Sequence, residues 1–153
     1  MKKTFRGKMA DGEVKRVRLS TNNGLTGYRI VKFQLLPLSP GASTQEIVGQ
    51  VFTTQNDESG QPRSASTSVN FDDPTLVSAA VYNQNGDSWS SFETVIFDSM
   101  TFNQDIFVTI DDSQNVAGAN FYLELEQVTL SKDEATVATL KDMRAGPDTN
   151  FGP

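Results

Sequence analysis

Carboxylates in the predicted loops have the most direct potential for chemistry in this sequence. Short acidic clusters occur at residues 56–58 (NDE), 72–73 (DD) and 111–112 (DD), each next to a predicted strand. Carboxylate and amide oxygens are the ligands that Ca²⁺ takes in proteins, but none of the clusters follows the D-x-[DN]-x-[DN]-G spacing of a calcium loop. Adjacent aspartates are also common turn residues. We therefore expect turns with no resident metal or other cofactor, and a structural calcium ion is the alternative.

A pair of glutamates suggests a second kind of chemistry. Glu124 and Glu126 alternate on one face of a predicted strand, which places them roughly 6–7 Å apart. That separation is within the range used by the carboxylate pairs of glycosidases. The same alternation places them opposite Phe121, Leu123 and Leu125, so the two glutamates are expected to face solvent.

The composition excludes most other catalytic systems. The 153 residues include no histidine and no cysteine. Ser-His-Asp and Cys-His nucleophile systems, thiolate or imidazole zinc sites, iron–sulfur clusters and disulfides therefore cannot form. Nucleotide-binding and hydrolase motifs such as GxGxxG, GxxxxGK[ST], GxSxG and HExxH are also absent. We expect the protein not to be an enzyme.

Basic residues are concentrated near the start of the chain. Residues 1–32 hold nine of the 13 basic and two of the 19 acidic residues, a local net charge of +7 in a chain of net charge −6. Such a segment can dock onto an acidic neighbour or onto a second copy, and a solvated tail is the alternative. Nucleic acid is not the expected partner, because the chain is acidic overall and few aromatic residues interleave the segment. The predicted docking residues are Lys2, Lys3, Arg6, Lys8, Lys15, Arg16 and Arg18.

Trp89 is the only tryptophan and lies in the polar stretch GDSWSSF, between a predicted turn and a strand. An exposed tryptophan in such a place can stack on a sugar ring or fill a pocket of a partner protein. The alternative is a side chain that covers the edge of the protein's own core.

The elements that must position these residues are predicted to be short strands separated by turns. Apolar alternation and β-branched residues predict strands at 17–19, 28–36, 47–54, 69–71, 76–82, 92–97, 106–110 and 121–130, with Gly49 as a possible bulge. Residues 55–68 hold no large apolar side chain and predict an exposed, mobile loop. Ser131 and Glu134 form a capping-box pattern that predicts a helix over 132–144, although a strand is the alternative there.

These signals predict an all-β fold, a β-sandwich or jelly-roll-like antiparallel domain. Residues 1–13 are expected to form an extended basic N-terminal arm, residues 14–144 a single β-rich domain, and residues 145–153 a C-terminal tail. No apolar run approaches the roughly 20 residues that cross a membrane. The basic start is not followed by an apolar stretch, so no signal peptide is expected.

Four stretches that together cover nearly half of the chain resemble small β-rich virion structural proteins of marine tailed phages, of the cyanophage and pelagiphage type. The stretches are VKRVRLSTNNGLTGYRIVKFQ (14–34), FDDPTLVSAAVY (71–82), TVIFDSMTFNQDIFVTI (94–110) and FYLELEQVTLSKDEATVATLKDMR (121–144). The resemblance implies a virion context, with assembly in the host cytoplasm, and it transfers no catalytic residue.

With that context, we expect a non-enzymatic capsid cement or decoration protein that binds the major capsid protein or other virion proteins. A symmetric homo-oligomer, such as a trimer at a local threefold, is the expected assembly. A tail component (adaptor, baseplate or fibre-associated) is the alternative within the same class. A glycan-binding β-sandwich that uses Trp89 is the alternative from another class.

Overall fold

The computed structural model describes residues 1–19, 25–41, 43–86 and 88–145. In these ranges the chain forms eight strands and one helix. The strands are β1 (Lys2–Met9), β2 (Val14–Val17), β3 (Thr26–Pro37), β4 (Gln45–Phe52), β5 (Leu76–Asn85), β6 (Trp89–Ile96), β7 (Ile106–Asp112) and β8 (Ala119–Thr129), and the helix is α1 (Lys132–Ala145).

The strands form two antiparallel sheets. One has three strands in the order β1-β8-β3, and the other has five in the order β2-β7-β4-β5-β6. Buried side chains from both sheets form one hydrophobic cluster, in which Phe33 and Leu123 of the first sheet pack with Ile47 and Val108 of the second. The all-β class is therefore confirmed, and the jelly-roll variant of it stays a prediction.

A glycine allows the two sheets to approach closely in the middle of the core. A methyl group built at Gly49 in β4 would lie 2.9 Å from Leu35 Cδ2 and 3.1 Å from Phe33 Cζ, both from β3. Gly49 is paired in register with Ala80 on one side and Ile110 on the other, so it is not the bulge that the sequence suggested. Its missing side chain is the space that the large β3 side chains occupy.

A β-bulge in β3 decides which of its side chains face the core. The pairing of β3 with β8 shifts between Ile30 and Lys32, which leaves Val31 as the extra residue. As a result Ile30 and Phe33 are both buried, although strict alternation places them on opposite faces.

The N-terminal segment differs from the expected arm. Residues 2–9 form β1, which pairs with β8 along its whole length, from Lys2 opposite Glu126 to Met9 opposite Ala119. Phe5 packs against the core, and Met9 is completely buried. Because main-chain hydrogen bonds and apolar contacts both hold this segment, it belongs to the β-domain. The segment KKTFRGKM has few apolar residues, so its sequence alone does not predict that it pairs with β8.

The long loop between β4 and β5 is organised around a buried arginine. The Arg63 side chain is only 6% exposed, and its guanidinium lies 3.7 Å from the ring centroid of Phe52. Arg63 Nη2 donates to Thr54 Oγ1 at 2.9 Å, to the Asn56 carbonyl at 2.8 Å and to Thr75 Oγ1 at 3.2 Å. The loop that the sequence predicted to be unanchored is therefore attached to the outer face of the five-stranded sheet.

A second anchor comes from β4. Gln50 is 3% exposed, and its Nε2 donates to the carbonyls of Ser66 and Ser68 at 3.1 Å each. The expected strand at 69–71 does not form, and Phe71 instead packs edge-on against Phe97, with ring centroids 5.2 Å apart.

Helix α1 begins with the predicted capping box. The Glu134 N–H donates to Ser131 Oγ and the Ser131 N–H donates to Glu134 Oε1, both at 3.1 Å. Ala135 and Ala138 are buried, and Asn103 Nδ2 donates to Thr139 Oγ1 at 3.1 Å. Of the expected tail, residues 146–153 lie outside the described residues. No helix within the described part of the chain is long and apolar enough to span a membrane.

We predict that Gly49→Ala lowers the free energy of unfolding by about 1–3 kcal/mol, because the added methyl group overpacks the space that Leu35 and Phe33 fill. Urea denaturation of the purified protein measures this difference. In a Leu35→Val background the same substitution is expected to cost less, since valine leaves room for the methyl group. Equal costs in the two backgrounds would contradict this explanation of the sheet contact.

Candidate functional site

The outer face of the three-stranded sheet is polar and predominantly basic, and we call it the basic face. The strand register places its side chains in four rows that run from β1 across β8 to β3. The rows are Lys2–Glu126–Arg29, Thr4–Glu124–Lys32, Arg6–Tyr122–Gln34 and Lys8–Asn120–Leu36. The basic face thus carries five positive charges against two negative ones, on a chain whose net charge is −6.

Both glutamates on the basic face are held in ion pairs at one end of it. Lys2 Nζ lies 3.4 Å from Glu124 Oε1, and Arg29 Nη2 lies 2.6 Å from Glu126 Oε2. The hydrogen bond and charge of Arg29 hold the pKa of Glu126 below its ordinary value. This carboxylate is thus kept ionised by its neighbour, which is opposite to the raised pKa that a glycosidase general acid needs.

Three cations of the basic face remain available: Lys32 beside Glu124, and Arg6 and Lys8 at the other end. Arg6, Lys8 and Lys32 are exposed, and none of them forms an ion pair with another described residue. Arg6 and Lys8 point to the same face because they are two residues apart on one strand. An acidic partner that lies on this end would meet positive charge not already neutralised by the protein itself.

A groove of about 670 Å³ lies next to these free cations. The outer-face residues Arg6, Lys8 and Tyr122 line it together with Tyr82 of β5 and Phe92 of β6. The groove therefore includes residues of both sheets, and neither aspartate nor glutamate lines it.

The remaining predicted docking residues serve other contacts. Lys3 Nζ lies 5.4 Å from the ring centroid of Tyr28, and Lys15 Nζ lies 5.8 Å from that of Phe121. These distances permit cation–π attraction within the domain. The two lysines therefore contribute to the domain itself and are less available to a partner.

Arg16 and Arg18 are close in sequence but differ in their contacts. Arg16 Nε lies 2.7 Å from Asp105 Oδ2, and the N–H of Leu19 donates to the other oxygen of Asp105 at 2.7 Å. Arg18 is exposed and follows β2, which belongs to the five-stranded sheet. The structure thus places only part of the predicted docking set, Lys2, Arg6 and Lys8, on one surface.

Trp89 does not line the groove. It begins β6 at the edge of the five-stranded sheet, where it pairs with Asn85 and is 56% exposed. Ser90 and Ser91 beside it are exposed as well. It is therefore a separate candidate contact point and not a cover for the core.

The acidic clusters are used to hold turns. Asp112 is completely buried, and its carboxylate accepts hydrogen bonds from the N–H groups of Glu46, Gln114, Val116 and Ala117 at 2.9–3.4 Å. Among the residues that the structure describes, no group of three or more His, Cys, Asp and Glu side chains is arranged to hold a metal ion.

The other two clusters hold turns in the same way. Asp57 Oδ1 accepts from the N–H groups of Ser59 and Gln61 at 3.0 Å, and Asp73 Oδ1 accepts from the Thr75 N–H at 2.9 Å. These hydrogen bonds close Asx-type turns.

Asp111 is the one carboxylate here whose surroundings disfavour its charge. Burial raises its pKa, and a hydrogen bond with Asp11 and the charges of Asp11 and Asp112 raise it further. A carboxyl with a raised pKa stabilises the fold while it is protonated, and that contribution is lost as the pH rises through its folded-state pKa.

Sequence reasoning missed most of the groove. Its apolar part includes Leu36, Tyr82 and Phe92, which lie on three different strands, and its amide groups come from Gln34 and Asn120. Two signals indicate a part of it: the basic residues Arg6 and Lys8, and the alternation in β8, which places Tyr122 on the outer face with the two glutamates.

We predict that Asp111→Asn raises the melting temperature at about pH 7, because it removes a carboxylate charge that the fold disfavours. At about pH 3, where the native aspartate is protonated, the variant and the native protein are expected to melt at similar temperatures. Thermal unfolding followed by circular dichroism at both pH values measures this. Asp98→Asn, at an exposed carboxylate, is the matched control. A lower melting temperature at neutral pH would show that the Asp111 carboxylate stabilises the turn.

Comparisons with known proteins give no counterpart for this surface: no family model matches the chain, and neither a curated protein nor a solved structure matches it. The basic face and the groove are therefore interpreted from their own residues.

Proposed function

We propose that the protein is a non-enzymatic structural component of a tailed-phage virion, a capsid cement or decoration protein that binds the major capsid protein through its basic face. The observation that carries the proposal is the charge distribution on that face. Arg6, Lys8 and Lys32 form no ion pair with a described residue, while the two glutamates are held by Lys2 and Arg29.

A docking role explains why an acidic chain concentrates positive charge on one sheet. Complementary charge steers association and fixes the orientation of two partners. A sheet face also presents its side chains at regular spacings, because paired strands hold one another in register. Acid–base catalysis by a carboxylate pair, in contrast, needs two carboxyl groups with opposed proton affinities in one cleft, and the groove is lined by no carboxylate.

The virion setting is supported by the resemblance of four stretches of the chain to small β-rich proteins of marine tailed phages. Without it, the basic face supports only binding to an acidic protein surface. A tail position, as an adaptor, baseplate or fibre-associated component, is the alternative within this setting.

The proposed assembly is a homo-oligomer, a trimer at a local threefold of the shell. Strand β6 supports contacts between copies because it lies at a sheet edge, exposes Trp89 and Val95, and has Glu93 as its only charged residue. Edge strands that must stay single are usually protected by lysine, proline or a bulge. Cryo-electron microscopy of the virion tests the capsid location and the trimeric assembly together. Hundreds of copies around threefold axes of the shell would support a cement protein, and a small ring at the vertex would support a tail component.

We predict that the double variant Arg6→Glu/Lys8→Glu binds shells of the parent phage at least about tenfold more weakly than the native protein at low salt, because it places negative charge against an acidic partner. Co-sedimentation with shells that lack the protein measures the affinity. The difference is expected to shrink at high salt, since exposed charges are screened.

Arg18→Glu/Lys132→Glu is the matched control, because it changes the net charge equally at two exposed residues outside the basic face. Because this variant changes the net charge but leaves the basic face unchanged, it is expected to bind shells within about threefold of the affinity of the native protein. Equal losses in the two variants would show that net charge, and not the basic face, governs binding.

Glycan binding at Trp89 is the second candidate function, favoured by the 56% exposure of that side chain beside the hydroxyl groups of Ser90 and Ser91. Because Trp89 is the only tryptophan, intrinsic fluorescence reports on it directly. Titration with host-cell polysaccharide is expected to give saturable quenching if this function is correct. An unchanged fluorescence spectrum up to the highest polysaccharide concentration tested would exclude glycan binding at Trp89.

A further inference from the structure

The groove beside Arg6 and Lys8 has the dimensions and chemistry of a binding site for a short segment. Its volume of about 670 Å³ lies in the range of pockets that enclose most of a small ligand. Its apolar part includes Leu36, Tyr82 and Phe92 beside the buried Leu35 and Phe121, and Leu36 is 58% exposed although it is a large apolar side chain. An occupant that covers Leu36 would remove apolar surface from water.

The charge of the groove favours an anionic occupant. Arg6 and Lys8 line it, neither forms an ion pair with a described residue, and no carboxylate is among the lining residues. An anionic occupant would meet two neighbouring cations on one wall of the groove, whereas a neutral occupant would gain nothing from their charge.

Two side-chain amides add directional hydrogen bonding. Gln34 and Asn120 lie on the outer face in the rows of Arg6 and Lys8, and both line the groove. Neither side chain hydrogen-bonds to another described residue. A primary amide offers both a donor and an acceptor, which matches the N–H and C=O groups of an extended peptide.

We propose that this groove binds an acidic peptide segment of the partner protein, with one aromatic or leucine side chain inserted between Leu36, Tyr82 and Phe92 and flanking carboxylates at Arg6 and Lys8. The inference rests on the proposed function in one respect, that the partner is a protein. It adds the chemical class of the segment and its place on the molecule.

An acidic polysaccharide fits these walls less well. Leu36 has neither a polar atom nor a ring face on which a sugar stacks, so sugar hydroxyl groups placed against it would lose water without gaining a hydrogen bond. A hydrocarbon side chain has no such cost, and peptide carboxylates supply the negative charge equally well.

Selection from a library of random short peptides, displayed on yeast and sorted against the labelled native protein, tests the proposal. The enriched sequences are expected to contain an aromatic residue or leucine between acidic residues. Fluorescence polarisation with the most enriched peptide is then expected to show at least about tenfold weaker binding for Arg6→Gln/Lys8→Gln, since charge complementarity is lost.

Leu36→Ser tests the apolar part, and it is expected to weaken peptide binding about fivefold by removing buried hydrocarbon. Because Leu36 is 58% exposed in the free protein, this variant is expected to fold. Arg18→Gln/Lys132→Gln is the control and is expected to bind the peptide like the native protein.

Three outcomes would overturn the inference: no acidic enrichment, peptide binding that is indifferent to all of these groove variants, or binding of alginate in place of any peptide. Shell binding separates this result from the proposed function. If Arg6→Glu/Lys8→Glu loses shell binding while Leu36→Ser keeps it and no peptide is selected, the groove inference fails and the docking function stands. If the peptide binds but shells do not, the groove inference stands and the capsid function fails.

Discussion

The close approach of β3 to Gly49 is the contact on which the rest of the molecule depends. Leu35 and Phe33 reach the backbone of the opposite sheet there, and any side chain at Gly49 would occupy their space. Because β3 is fixed by this contact, β8 is fixed by its pairing with β3, and β1 by its pairing with β8. The positions of Arg6 and Lys8 are therefore determined by packing in the core, on the opposite side of the sheet from the charges themselves.

The basic face combines ion pairs inside the molecule with cations left for a partner. At one end the glutamates of β8 are paired with Lys2 and Arg29, and exposed pairs of this kind contribute little to stability. Their larger effect is on the pattern of charge. The end with the two glutamates keeps a net charge of +1 from Lys2, Arg29 and Lys32, whereas the end with Arg6 and Lys8 carries +2 and no carboxylate.

The sequence predicted the class of the fold and most of its strands, because alternation in β8 and the apolar runs of β5 and β7 are strong local signals. It did not predict β1, because the few apolar residues of β1 form a strand pattern only when they are paired with β8. It also did not predict the bulge at Val31, which depends on the pairing of β3 with β8. Arg63 was also missed, because an arginine in a polar stretch gives no sign of a buried network. The two cations of the groove were predicted, but its walls come from distant strands that only the folded chain brings together.

The position of β8 has a consequence for the order in which the chain folds during synthesis. Both neighbours of β8 in the three-stranded sheet precede it by about 80 residues or more, and Lys2 is paired with Glu126 and Thr26 with Thr129. Until β8 leaves the ribosome, β1 and β3 have no neighbouring strand in their sheet. Pairings between residues so far apart are slow to form. Strand β8 therefore completes the three-stranded sheet, and the basic face forms only after β8 has been made.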